Sequence, residues 1–300
     1  MLSKKKLQWF LLKTFGIFSV VRGYNILVII LAQYFSAIFI FAPQKSLYSV
    51  VFDWQLFLIV LASSLSIASG YIINNFYDAK KDLINRPKKS MIDRLVSQKT
   101  KLTIYFSLNF LIVFFAFFVS VRAVLFFSTY IFLLWFYSHK LKKIVIIGNI
   151  TASLLAVLPF FAILLYYKNF YAVVFAHATF LFLLLFIREI IKDLENIKGD
   201  LATNYKTIPV VFGEKIAKNI IIYSVVFTLI PAYILVDYFD IGYMDIYFYF
   251  SMLVLLFFVF KLQKFQTKEE YLKLHFLLKV LIFIGILSVI LINPKELAGF

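Results

Sequence analysis

The sequence predicts an all-α, polytopic membrane bundle of about nine transmembrane helices with short cytoplasmic cap segments. Three observations carry this. First, of 300 residues, 63% are hydrophobic and 15% charged, and the mean hydropathy is +0.92. A soluble domain is roughly half apolar and about a quarter charged, and a core of this size could not hide the surplus from water. Second, the apolar residues gather into nine runs, each near the roughly 20 residues that cross a bilayer as a helix. Third, Lys and Arg collect between alternate runs.

The runs lie near 23–42, 54–73, 102–121, 123–138, 144–166, 170–190, 217–236, 244–262 and 275–292. The third and fourth are divided only around Ser120 to Arg122; joined, they would be far too long for one span. The opening residues are basic, with Lys4, Lys5, Lys6 and Lys13, and then amphipathic, without a small-residue cleavage site. An interfacial helix fits them better than a secretory signal. No hydrophilic stretch is long enough for a separate soluble domain, so residues 1–300 read as one membrane-embedded domain. Its segments 74–101 and 188–215 are expected to form the cap.

The positive charge follows the even-numbered loops. Lys80, Lys81, Arg86, Lys88, Lys89, Arg94, Lys99 and Lys101 follow the second run. Lys140, Lys142 and Lys143 follow the fourth, Lys192, Lys198, Lys206 and Lys215 the sixth, and Lys264, Lys268 and Lys273 the eighth. The odd loops hold only Lys45, Arg122 and Lys168, and the one near Asp237, Asp240 and Asp245 is acidic. Basic loops stay inside. The N-terminus and the cap are therefore expected in the cytoplasm and the C-terminus outside. The formal net charge of +16 reads as this topology, with attraction to anionic lipid or substrate, rather than as nucleic-acid binding. The absence of cysteine excludes disulfides and thiol chemistry.

Two acidic clusters stand out. In NNFYDAKKD, Asn74, Asp78 and Asp82 recur every four residues and share one helical face. In REIIKDLENIKGD, Asp193, Asn196 and Asp200 share a face, with Glu189 one turn earlier. Four spans separate the clusters, so both emerge on the same side. A single acidic cluster at a helix end is usually a solvated face, but two of matching spacing on one side call for another explanation. Like charges at this spacing repel by a few tenths of a kcal/mol, and more strongly near the bilayer. A divalent cation is the simplest counter-charge. Oxygen ligands without cysteine or nearby histidine suit Mg²⁺, which binds one or two carboxylates and completes its shell with water and substrate phosphate. Facing clusters of this kind could hold Mg²⁺ around a diphosphate, with Arg22, Lys81, Arg86, Lys140 and Lys192 on its remaining oxygens. Tyr77 and Tyr137 lie beside the clusters as candidate pocket residues. His139, His177 and His275 fit no metal-ligand spacing and read as structural. The sequon at Asn149 falls on the inner side and reads as accidental.

These residues resemble the UbiA superfamily of intramembrane prenyltransferases. NNFYDAKKD followed by LINRPKK matches that family's first signature at Asn74, Asp78, Asp82, Asn85, Arg86 and Pro87. KDLENIKGD followed by KTIPVVFG resembles the second at Asp193, Glu195, Gly199, Asp200, Thr207, Pro209 and Gly213. VRGYN resembles its N-terminal Arg-x-x-Asn at Arg22 and Asn25, and YSHKLKKIVIIGNI a further segment at Tyr137, Lys140, Gly148 and Asn149. Asn196 departs from the pattern, which commonly has an acid there.

The resemblance implies a Mg²⁺-dependent enzyme that moves a prenyl group from an isoprenyl diphosphate to a lipid-soluble acceptor within membrane lipid. Asp78, Asp82, Asp193 and Asp200 would be catalytic, and these four with Asn74 and Asn196 would bind metal. Arg22, Lys81, Arg86, Lys140 and Lys192 would hold the diphosphate, and Asn25, Tyr77 and Tyr137 would line the substrate pocket. The form of the second motif is most similar to the branch that acts on geranylgeranylglyceryl phosphate. An aromatic acceptor of the menaquinone or ubiquinone type is the alternative. A cation-coupled transporter is a remote one, because transporter ion sites usually lie near the bilayer midplane. No Asp-Gly-x-x-Ala-Arg segment marks a CDP-alcohol phosphotransferase.

Overall fold

The computed structural model describes residues 4–294, with side chains from residue 11 onward. The side chains of Lys4, Lys5 and Lys6, and the C-terminal residues 295–300 expected outside, lie beyond the described residues. Twelve α-helices follow one another and no strand occurs among the described residues. They are α1 (Lys4–Val21), α2 (Gly23–Ser36), α3 (Leu47–Val51), α4 (Trp54–Asn85), α5 (Pro87–Asp93) and α6 (Gln98–Phe117). There follow α7 (Val121–His139), α8 (Ile147–Tyr167), α9 (Ala172–Ala202), α10 (Ile208–Tyr238), α11 (Asp245–Lys264) and α12 (Lys268–Ser288). Nine described helices are long and apolar enough to cross a membrane. The narrow break before α7 is real: Ser120 turns the chain into extended backbone and its hydroxyl accepts the Ala123 N–H.

α4 is the central post. Its most apolar window is 72% buried, against 17–44% for the other spans, and it packs on α2, α6, α7, α8 and α9. It starts where Asp53 caps the Gln55 and Leu56 N–H groups. At 32 residues it is about 48 Å long, well beyond the roughly 30 Å hydrocarbon layer. α9, with 31 residues, overshoots in the same way. Residues 74–85 and 188–202, expected within cap loops, are thus the projecting ends of two long helices. The apolar run stops at Ile73, but nothing in NNFYDAKKDLIN breaks a helix. Arg86 ends it with φ −142° and ψ 61°, because the following Pro87 disfavours helical geometry at this residue. α10 likewise begins earlier than the apolar run at 217, and bends at Gly213, where φ is +83°.

The two projecting ends are fastened together. The Gly199 N–H donates to Asn85 Oδ1 at 3.1 Å. A Cβ on Gly199 would lie 2.3 Å from Asn85 Nδ2, so only glycine permits this approach. Alanine ordinarily favours a helix by about 1 kcal/mol over glycine. Gly199→Ala is nevertheless expected to destabilise the protein by about 1–3 kcal/mol through overpacking, read as a lowered thermal midpoint in detergent. A raised midpoint would contradict the close approach.

Candidate functional site

The ends of α4 and α9 form two walls of a polar cleft. Arg22, Asn74, Asp78, Lys81, Asp82, Arg86, Tyr137, Lys142, Glu189, Lys192, Asp193 and Asn196 all face it. The i, i+4, i+8 spacing of Asn74, Asp78 and Asp82 does on α4 what it predicts. Asp78 is 7% exposed and so is no solvated face. Its Oδ1 lies 2.7 Å from Lys142 Nζ and accepts the Tyr205 hydroxyl at 2.7 Å. Lys142 Nζ also donates to Asn74 Oδ1 at 3.0 Å.

The two clusters meet across the cleft. Lys81 on α4 reaches Asp200 on α9, Nζ to Oδ1 2.5 Å, while the Thr207 hydroxyl donates to Asp200 Oδ2 at 3.3 Å. Asp200 is fully buried at 0% exposure beneath the cleft rather than in its wall. Asn149 donates to Asp193 Oδ2 at 2.7 Å. Glu189 is held by Lys192 at 2.6 Å and Arg188 at 3.0 Å. Tyr205 is the pivot of this arrangement. The Lys81 ammonium sits 4.2 Å from its ring centre, and Lys142 and Lys143 lie at 5.8 and 5.5 Å. Burial, and then the Asp78 carboxylate, push the Tyr205 phenol far above its ordinary pKa, so it stays a hydrogen-bond donor.

Charge within the cleft is nearly balanced. Arg22, Lys81, Arg86, Lys142 and Lys192 face Asp78, Asp82, Glu189 and Asp193, with Asp200 beneath. The protein's own cations are therefore largely spent on its own carboxylates. The Asp82 carboxylate lines the cleft without a side-chain hydrogen bond or ion pair among the described residues. An all-oxygen donor set with one free carboxylate fits a hard divalent cation. No three acidic or histidine side chains among the described residues converge on one point; Lys142 and Lys81 stand against Asp78 and Asp200.

Not every expected residue lies here. Lys140 is exposed and outside the cleft; Lys142 takes the inward position. A single tight turn over Leu141–Lys143, followed by Ile146 at φ 65°, sets which lysine points inward, and residue spacing does not reveal this. Gly148 permits the turn, since a Cβ there would lie 3.1 Å from the Lys142 carbonyl oxygen. Asn25 donates to the Tyr71 hydroxyl at 3.2 Å, and Arg22 stacks on the Tyr71 ring at 4.8 Å. Asn25 thus stands behind Arg22, not in the cleft wall. Tyr77 packs on His139, 5.3 Å between ring centres, and also stands behind the wall. Lys142 and Tyr205 are the functional candidates that sequence reasoning missed. The available signal for Tyr205 was its place between the second acidic cluster and the Thr207 segment.

A second, apolar cavity lies further along α9, bounded also by α2, α8, α11 and α12. Its nearest α9 residue, Leu184, precedes Glu189 of the cleft by five positions, about 7.5 Å of helix.

Comparison with known proteins accords with this geometry. Over 180 residues the chain is 31% identical to the digeranylgeranylglyceryl phosphate synthase of Thermococcus gammatolerans, covering 60% of this chain and 64% of that protein, just under two thirds. It is 28% identical over 241 residues to the synthase of the same name from Methanobrevibacter smithii, covering 75% and 80%. Its fold matches the structure of a UbiA homologue from Archaeoglobus fulgidus bound to DMAPP and Mg²⁺, with a TM-score of 0.67, 17% identity, and coverage of 91% and 99%. The model of the UbiA prenyltransferase family matches residues 34–287, most of the chain and both acidic helix ends, and the protein belongs to that family.

Proposed function

We propose that this protein transfers a prenyl group from an isoprenyl diphosphate to the hydroxyl of geranylgeranylglyceryl phosphate, with Mg²⁺ as cofactor and the cleft facing the cytoplasm. The observation that carries the reading is the joining of two acidic helix ends into one cleft, with cations around it and an apolar cavity beside it. The relatives named digeranylgeranylglyceryl phosphate synthase support the acceptor, and the alternating Lys and Arg support the orientation.

In the reaction the bond between the allylic carbon and the diphosphate oxygen breaks. Its electron pair leaves on the diphosphate, the acceptor oxygen bonds to the carbon, and the hydroxyl proton is released. Bound Mg²⁺ supplies Lewis-acid stabilisation of the departing charge. Asp78, Asp82, Asp193 and Asp200, with the amide oxygens of Asn74 and Asn196, are the residues that would hold it. Arg22, Lys81, Arg86, Lys142 and Lys192 bind diphosphate oxygens and are already positioned when charge develops. Tyr205 holds Asp78 in place by donating its phenolic hydrogen. The apolar cavity takes the isoprenoid tail and keeps water from the allylic cation.

The near-balance of protein charge makes metal dependence a sharp expectation. Removal of divalent ions with EDTA should abolish transfer of radiolabelled geranylgeranyl diphosphate in isolated membranes, and added Mg²⁺ should restore it. Undiminished transfer in EDTA would exclude the metal. A panel of acceptors in which only aromatic compounds become labelled would exclude the phosphorylated lipid.

A further inference from the structure

α12 carries a lysine that the donor cleft does not use. Lys279 lies within the span Lys268–Ile292, eleven residues past Lys268 and about 16 Å along the helix. Its side chain is exposed and makes no hydrogen bond or ion pair among the described residues. A cation in such a place is costly and ordinarily marks a function.

Its surroundings are basic. α9 and α12 run antiparallel: Gly199 near the end of α9 and Lys268 at the start of α12 both bond to Asn85, the latter at 2.5 Å to the carbonyl oxygen. One level is fixed by His275 of α12, which contacts Glu195 of α9. One turn onward along α12 comes Lys279, and two turns back along α9 comes Arg188. Arg188 pairs with Glu189, but its Nε is buried without a partner. Arg22 and Arg86 line the donor cleft beside Glu189, the partner of Arg188, and α12 packs against both α9 and α2, the helix that Arg22 precedes. Glu195 is itself engaged by His275 and by Arg86 at 3.6 Å. An anion is the missing member of this group.

Depth and direction restrict what the anion is. Lys268 touches the end of α4, and eleven residues separate Lys268 from Lys279 as they separate Asn85 from Asn74. Lys279 is therefore level with the start of the first acidic cluster, where α4 leaves the hydrocarbon. A phosphate on a lipid anchored in the bilayer arrives at that depth from the side. Arg22, which also lines the donor cleft, puts such a phosphate beside the reacting end of the donor.

We propose that Lys279 and Arg188, with Arg22 shared between the two sites, form a second anion subsite that binds the phosphate of a phosphorylated glycerolipid acceptor entering from the bilayer beside α12. This rests on the prenyl-transfer reading above. On a glyceryl phosphate the acceptor hydroxyl and the phosphate ester sit on neighbouring carbons, so anchoring one orients the other. An acceptor without an anionic group would leave these cations unmatched.

The test uses full-length protein in phosphatidylcholine vesicles, with Mg²⁺ and radiolabelled geranylgeranyl diphosphate. Lys279→Met is expected to raise KM for geranylgeranylglyceryl phosphate about tenfold, the size of one charge-assisted contact. KM for the diphosphate should stay within twofold, which also reports that the variant is folded. Lys279→Arg should restore the acceptor KM. With geranylgeranylglycerol, which lacks the phosphate, wild type and Lys279→Met should be equally poor. Equal loss on both acceptors, no loss on either, or a shift in diphosphate KM alone would overturn the subsite. So would an effect seen only when phosphatidylglycerol is added, which would assign Lys279 to ordinary anionic lipid. Wild type that transfers to no phosphorylated lipid would instead overturn the function proposed above.

Discussion

Asp78→Asn is expected to lower prenyl transfer at least about a hundredfold while leaving the protein folded, and Asp200→Asn to do the same. Loss of one preorganised electrostatic partner at a charge-developing centre typically costs about 10²–10³ in rate. Both residues are placed to exert such an effect. Asp78 gathers Lys142 and Tyr205, and Asp200 ties Lys81 to the opposite wall. The amide keeps the shape and removes the charge but also strands the Lys142 or Lys81 ammonium, so a thermal midpoint that stays above the assay temperature is the control that separates lost electrostatics from lost folding. Turnover of radiolabelled geranylgeranyl diphosphate is the measurement. Near-normal rates in either variant would remove that residue from the machinery.

Lys142→Met is expected to impair both activity and stability, and to do so in a metal-dependent way. The Lys142 and Asp78 side chains are 6% and 10% exposed. Removing one member of such a pair strands the other charge, at a cost of about 3–5 kcal/mol. Tyr205 still donates to Asp78, which places the loss toward the lower end of that range. If a divalent cation takes the same carboxylate, Mg²⁺ should recover part of the lost thermal midpoint, and EDTA should expose it in full. Lys140→Met, on the exposed neighbour, should match wild type in both conditions. Equal behaviour of the two variants would contradict the inward placement of Lys142.

The reading of nine spans rested on features that physics makes local. Apolar runs of bilayer length, the Ser120 break and the alternating basic loops need no tertiary knowledge, and the described helices follow them. Helix ends were harder, because an apolar count stops at Ile73 whereas the backbone ladder continues until Pro87 interrupts it. The meeting of Asp78 and Asp200 through Lys81 and Tyr205 was legible only in outline. Four intervening spans put both clusters on one side, but no spacing rule brings them within reach of each other. Side-chain choice was the least legible. Lys140 and Lys142 differ by half a turn of irregular backbone, and Ile146 adopts a positive φ that its sequence does not announce. Asn25 and Tyr77 were expected against substrate and instead back Arg22 and the cleft wall through Tyr71 and His139. Asn196, the weak point of the second cluster, lines the cleft with its amide nitrogen committed to the Lys192 carbonyl oxygen at 2.5 Å, which leaves its oxygen for a ligand.

The most direct measurement is a double-mutant cycle on Mg²⁺-dependent binding of a non-hydrolysable geranylgeranyl thiolodiphosphate, with Asp78→Asn, Asp200→Asn and both together, followed by titration calorimetry. Two helix ends that make one site should couple strongly, so that the double variant binds scarcely worse than either single one. Independent, additive losses, or binding indifferent to Mg²⁺ in the wild-type protein, would contradict a single metal–diphosphate site built from both clusters.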